Sequence, residues 1–186
     1  MQNARDNKGY LKRLPALYYQ RAAWVHWVMT IDGRCRGWLD ELMHAYVREG
    51  LLQAFARYAL VCPVYCLMPD HAHFIWCGCA ERSDQRKACG FFRKMWNSRL
   101  RERGFSLQRQ GYDDVLLENE RNADAFEDAC VYIMKNPERE KLVLHWKDWP
   151  YCGSVVPGYP RMDPREGRYW QRFWTAYNEL REPGLL

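Results

Sequence analysis

The chain has 186 residues, of which 48% are hydrophobic and 15% aromatic, enough to fill the core of one compact domain and to exclude wholesale disorder. No apolar run reaches membrane-spanning length, and the opening Met1-Gln2-Asn3-Ala4-Arg5 lacks an apolar secretory segment, so the expected compartment is cytoplasmic with no membrane partner. The net charge of +5 names no partner by itself, but from Arg82 to Arg109 the cations Arg86, Lys87, Arg93, Lys94, Arg99, Arg101 and Arg103 outnumber Asp84 and Glu102.

In chain order, residues 24–31 read as a first strand, rich in aromatic and β-branched side chains, with Asp32-Gly33 as its exit. Residues 38–58 read as an amphipathic helix in which Leu39, Leu42, Met43, Tyr46, Leu51, Leu52 and Phe55 recur near helical spacing and Gly50 is tolerated. Residues 58–67 form a second strand, Pro69-Asp70 a turn, and residues 71–77 a third strand paired back on the second. Ser83 or Asp84 caps a second helix running to about Arg103, with Ala88, Phe91, Phe92, Met95, Trp96 and Leu100 on its apolar face and Gly104 as its stop.

Leu107, Val115 and Leu116 indicate a fourth strand near Val115. A third helix begins at Asn122 or Asp124, passes through Phe126, Cys130 and Ile133, and ends at Asn136-Pro137, because proline disfavours helical geometry in the residue before it. Strand, helix, strand, strand, helix, strand predicts an α+β fold, a ferredoxin-like split βαβ sandwich of antiparallel sheet with helices on one face, plus the third helix. Residues 1–145 then make one domain, and residues 146–186 an aromatic-rich C-terminal tail packed on it, whose exposed rings could stack on unpaired bases. The eight cysteines include no Cys-x-x-Cys pair and read as reduced core residues; Cys62 with Cys66, or Cys77 with Cys79, offers weak zinc spacing.

The chemistry concentrates in Met68-Pro69-Asp70-His71-Ala72-His73. Alternation along a strand puts the His71 and His73 imidazoles on one face, where each neutral ring offers one lone pair to a shared divalent ion. Alone, such a pair is more often two amphipathic side chains bonded to backbone. A second feature, Tyr132-Ile133-Met134-Lys135-Asn136, places Tyr132 and Asn136 on one face of the third helix. A phenolate can attack a phosphodiester and conserve its bond energy as phosphotyrosine; a cation on His71 and His73 would polarise the phosphate, and Asn136 would add a neutral oxygen ligand. The basic run Arg86, Lys87, Arg93, Lys94, Arg99 and Arg101 is a candidate DNA-phosphate track, with Trp96 partly available for stacking.

The hairpin Cys62-Pro63-Val64-Tyr65-Cys66-Leu67-Met68-Pro69-Asp70-His71-Ala72-His73, followed in order by Tyr132-Ile133-Met134-Lys135-Asn136-Pro137, resembles the REP-associated tyrosine transposases, in the single-tyrosine, His-hydrophobic-His superfamily. The resemblance runs from about Trp24 to Val143, and Gln110-Gly111-Tyr112-Asp113 is similar to a further family stretch. It implies a magnesium- or manganese-dependent catalytic domain that cleaves and joins single-stranded DNA at repetitive extragenic palindromes, leaving a 5′-phosphotyrosine and a free 3′-hydroxyl. It implies that His71 and His73 are metal ligands, Tyr132 the nucleophile and Asn136 the residue completing the site. The chain departs from the family in Ala72, smaller than the usual Ile, Val or Leu, and in Leu117, where an Arg is expected.

Three functions follow from these residues: a strand transferase acting through Tyr132, a domesticated palindrome-binding protein with little catalysis, and a metal-dependent hydrolase in which Asp70, Asp113 or Asp114 joins the histidines to activate water. Monomer and homodimer both remain open.

Overall fold

The computed structural model describes residues 13–116 and 123–182. Strand β1 (Trp24–Thr30) leads to helix α1 (Glu41–Tyr58), then to β2 (Leu60–Leu67), β3 (His71–Gly78), helix α2 (Gln85–Arg101) and β4 (Tyr112–Val115). All pairings are antiparallel, in the spatial order β4-β1-β3-β2, the arrangement of a split βαβ sandwich. Helix α3 (Ala123–Met134), the short α4 (Asn136–Arg139), strand β5 (Cys152–Val155) and helix α5 (Tyr169–Leu180) follow. Strand β5 pairs antiparallel with β2 and makes it an interior strand of a five-stranded sheet.

Both sandwich helices start at an aspartate cap. Asp40 accepts a hydrogen bond from the Met43 amide at 2.7 Å, and Asp84 accepts one from the Lys87 amide at 3.0 Å. The first helix therefore begins after residue 38, and Trp38 lies outside it, buried, with its indole N–H donated to the Pro69 carbonyl at 2.8 Å. Its inward face is Met43, Val47, Gly50, Leu51, Ala54 and Phe55. Leu42 and Leu52, expected on that face, are exposed. Gly50 is a packing position, since a Cβ there would stand 3.4 Å from the Phe92 ring of α2. Of the residues expected to start α3, Asn122 lies outside the described residues, as does Leu117, and Asp124 falls in the first turn.

Alternation divides the sheet between two cores. Val25, Trp27 and Met29 of β1 and Ala72, Phe74 and Trp76 of β3 face α1 and α2. Trp24, Ile75 and Cys77 face the other way, against Phe126, Cys130 and Ile133 of α3 and Tyr169, Phe173 and Tyr177 of α5. The segment after residue 145 is thus built into the fold as an edge strand and half of the second helical layer. Gln85 of α2, wholly buried, locks the first layer by donating to the Ala23 and Trp76 carbonyls and accepting from the Trp27 indole. Strand β2 bears Pro63 where its register with both neighbours shifts, a bulge that tolerates the missing amide; the freed carbonyl accepts from the Tyr169 hydroxyl. Among the described residues, no helix is long and apolar enough to cross a membrane.

Candidate active site

Helices α3 and α5 cover one end of their sheet face. At the other end β1 presents half-buried His26, Val28 and Thr30, and β3 presents half-buried His71 and His73, between fully buried neighbours that point into the first core. The open half of the face therefore carries three imidazoles. His71 Nδ1 lies 2.6 Å from Asp70 Oδ1, so this nitrogen carries the proton and donates to the carboxylate, leaving Nε2 as a lone pair. Arg34 reaches the second oxygen of Asp70 at 3.1 Å. Burial works against the Asp70 charge, but the bonds from His71 and Arg34 prevail and hold the carboxyl below its usual pKa.

The Nε2 atoms of His71 and His73 are 3.0 Å apart. Two donors each about 2.1 Å from one ion, and at right angles to each other, stand about 3 Å apart, so the pair fits one cation. Burial pushes the His73 imidazole down to about 3, helped by the charges of His26, His71 and Arg139, so this ring is neutral at physiological pH, as a ligand must be. The turn beneath the pair is clamped from several elements. Trp38 holds the Pro69 carbonyl, the Ile31 amide holds the Asp70 carbonyl at 2.9 Å, and the Trp149 indole holds the Leu67 carbonyl at 2.8 Å.

Tyr132 sits near the end of α3 and is 58% exposed, so its ring is not core packing. Lys135 separates α3 from α4 as the N-terminal cap of the latter, and Pro137 occupies the first turn of α4, where a missing amide costs nothing. Asn136 donates Nδ2 to the Ile133 carbonyl at 2.9 Å, which commits the nitrogen to backbone and leaves the amide oxygen as the donor for a cation. Arg139 gathers these groups. It donates to the Tyr132 hydroxyl at 2.6 Å, places its guanidinium 3.9 Å from the centre of that ring, reaches the Asn136 oxygen at 3.4 Å, and lies close enough to His73 to disfavour its protonation. Sequence reasoning missed Arg139 because Asn136-Pro137 read as the end of the helical region. It missed His26 because that residue is 47 positions from His73. The signal was present: His26 has the strand parity opposite to core residues Val25 and Trp27.

Among the described residues, no three His, Cys, Asp or Glu side chains cluster in ligating range, so a third protein donor beside the two imidazoles has to be another group such as the Asn136 oxygen. Asp70 is engaged by His71 and Arg34. Asp113 pairs in register with Trp27, and its carboxylate is held by Arg13 at 2.9 Å and by the Tyr19 hydroxyl, toward the α1 and α2 layer. Asp114 lies opposite His26, on the face of the dyad. The thiols of Cys62, Cys66, Cys77 and Cys79 are buried, and burial pushes Cys79 up to about 12, unlike an ionised zinc ligand.

The basic residues of α2 stand on the layer opposite the dyad. Arg93 is half-buried and donates to the Gln108 carbonyl, Arg99 pairs with Glu102, Lys87 pairs with the cap Asp84 at 3.3 Å, and Arg86 lies over the Tyr19 ring at 5.8 Å. Lys94 and Arg101 are exposed. Trp96 is fully buried, so it offers no stacking surface. A cavity of about 330 Å³ opens between α1 and the chain after β5, lined in part by Arg48, Tyr159 and Arg161, and it holds none of the predicted site residues.

No protein-family description matches the chain, and no curated protein sequence does. Among solved structures it is similar to a REP-associated tyrosine transposase bound to a REP hairpin, with a TM-score of 0.62 over 76% of this chain and 82% of that one, at 17% sequence identity. The fold is that of a REP-associated tyrosine transposase. At this identity the likeness is one of architecture, and the chemistry depends on the residues that the fold carries here.

Proposed function

We propose that the protein is a metal-dependent single-stranded DNA endonuclease and strand transferase that recognises palindromic hairpins of the repetitive extragenic type and works through a covalent 5′-phosphotyrosine at Tyr132. One observation carries the reading: an exposed tyrosine, its hydroxyl bonded to Arg139, stands beside Asn136, while the same arginine lies in electrostatic range of a histidine pair whose Nε2 atoms converge. The solved transposase of the same fold is bound to a REP hairpin, which supports a hairpin as the substrate.

In this mechanism His71, His73 and the Asn136 oxygen hold magnesium or manganese, which when bound polarises the scissile phosphate and offsets charge developing on its oxygens. Asp70 holds His71 in the tautomer that presents Nε2. The Tyr132 oxygen attacks phosphorus, the bond to the 3′-oxygen breaks, and that oxygen leaves as a 3′-hydroxyl with the proton the phenol gives up. A 3′-hydroxyl of another strand later attacks the phosphotyrosine and returns the proton to Tyr132. Arg139, donating to the phenolic oxygen, steadies the negative charge that this oxygen carries as it attacks and as it leaves.

The test is incubation of the full chain with single-stranded hairpin oligonucleotides and magnesium or manganese, followed by denaturing mass analysis. A mass-shifted protein carrying the downstream fragment through its 5′ phosphate is expected, with the upstream fragment released as a free 3′-hydroxyl, and the adduct should be absent from Tyr132→Phe. Tight hairpin binding without an adduct under either ion would favour a binding protein, and cleavage that survives Tyr132→Phe would favour a hydrolase that activates water.

A further inference from the structure

His26 of β1 pairs in register with Ile75, which makes His73 its diagonal neighbour on the open face of the sheet. Its Nε2 lies 3.0 Å from His73 Nδ1, and the two rings stack 5.3 Å apart at 26°. With the His73 to His71 contact at 3.0 Å and the His71 to Asp70 contact at 2.6 Å, three rings and a carboxylate form one continuous chain of hydrogen bonds.

Counting one proton per neutral ring fixes its order. His71 spends its proton on Asp70, so its Nε2 can only accept. The contact between the two Nε2 atoms then requires the proton of His73 to sit on Nε2, which leaves His73 Nδ1 bare and makes His26 Nε2 the donor. For His73 to offer Nε2 to a cation the pattern must reverse. Its proton then sits on Nδ1 and is donated to a bare Nε2 of His26, which now carries its own proton on Nδ1. The three rings hold the same number of protons before and after: the Nε2 proton of His26 crosses to His73 Nδ1, the Nε2 proton of His73 passes to water, and His26 Nδ1 takes one up from water.

We propose that His26 is the positioning residue of the dyad: by switching from donor to acceptor toward His73 Nδ1, it permits the tautomer of His73 that binds the metal. A partner that can both donate and accept is needed there, and an imidazole or a side-chain amide meets that need where an aromatic hydrocarbon does not. This rests on the metal-dependent reading above.

The test uses the full chain and manganese alone, with binding measured as loss of the free Mn²⁺ spin-resonance signal, in the wild type, His26→Gln and His26→Phe, each checked for an unchanged thermal melt. His26→Phe is expected to weaken binding roughly 10- to 100-fold, the usual cost of losing an outer hydrogen-bond partner of a ligating histidine, and His26→Gln to stay within a few-fold of wild type. In nitrogen-15 spectra of the wild-type imidazoles, magnesium should move the protons of both His26 and His73 from Nε2 to Nδ1. Wild-type affinity in His26→Phe, or a loss in His26→Gln as large as in His26→Phe, would overturn the proposal while leaving the metal site standing. Failure of the wild type itself to bind either ion would instead remove the metal-dependent reading, and this inference with it.

Discussion

Arg139 reaches back from α4 over the ring of Tyr132 and bonds its hydroxyl, so a fixed positive charge stands at the atom that would carry negative charge during strand transfer. Removing a preorganised donor from such a position typically costs a factor of about 100 or more in rate. Arg139→Gln should therefore slow adduct formation by about two orders of magnitude in a single-turnover assay, with hairpin affinity much less changed, and Arg139→Lys should recover part of the loss; an equal fall in affinity would recast Arg139 as a binding residue alone. His71, His73, Tyr132 and Asn136 were legible because the strand repeat of two and the helical spacing of four place chemically matched groups together over short stretches. His26 and Arg139 were not, because one joins the site through pairing between β1 and β3, and the other through a helix restarted at a proline.

At the scale of elements, the hairpin bearing the histidines is held at both ends. Near its turn, Trp38 and Trp149 grip backbone carbonyls, and at its base Gly78 ends β3 with the Arg21 carbonyl 1.7 Å from where a Cβ would stand. No rotamer relieves a clash with backbone. Gly78→Ala should destabilise the protein by about 2 to 4 kcal/mol, the range of overpacking and strain, seen as a lower urea midpoint, whereas Gly90→Ala, in the middle of α2 with open space around it, should be neutral or stabilising. The helices of the sandwich were legible from their aspartate caps and apolar spacing. The place of α2 was not: its basic residues form a run in one dimension, and only burial of Phe92 and Trp96 sets the helix on the layer away from the dyad, where Arg93 and Arg99 make contacts of their own.

For the whole molecule, the second helical layer decides stability. Tyr169, Phe173 and Tyr177 of α5 close the core that α3 begins, and β5 shields β2. A chain ending at residue 145 would expose this apolar face and should lose its cooperative thermal transition and bind a hydrophobic dye, whereas a tail merely laid over the domain would leave the melt intact. Acid should also destabilise the fold at a defined point on the other face of the sheet from the dyad. His44, bonded to the Tyr65 hydroxyl at 2.8 Å, is lowered to about 4, by burial first and then by Arg48, Arg161 and Arg165. Unfolded histidine titrates near 6.5, so between about pH 6.5 and 4 the unfolded chain binds the extra proton and stability falls as pH falls; above that window His44 contributes no slope. In urea unfolding from pH 7 to 4.5, His44→Gln, which can still bond Tyr65, should flatten the dependence by up to one proton.

The sequence by itself determined the order of strands and helices, the split βαβ topology that follows from it, and the two short motifs of the candidate site, because each depends on periodicity, capping or turn chemistry within a few residues. Only the tertiary structure decided that residues 146–182 complete the sheet and its second core, that α2 turns its cations away from the histidines, and that His26 and Arg139 join the site. Those outcomes depend on which face of the sheet each element covers, and that is set by burial between segments up to 153 residues apart, as in the bond from the Trp24 indole to the Tyr177 hydroxyl.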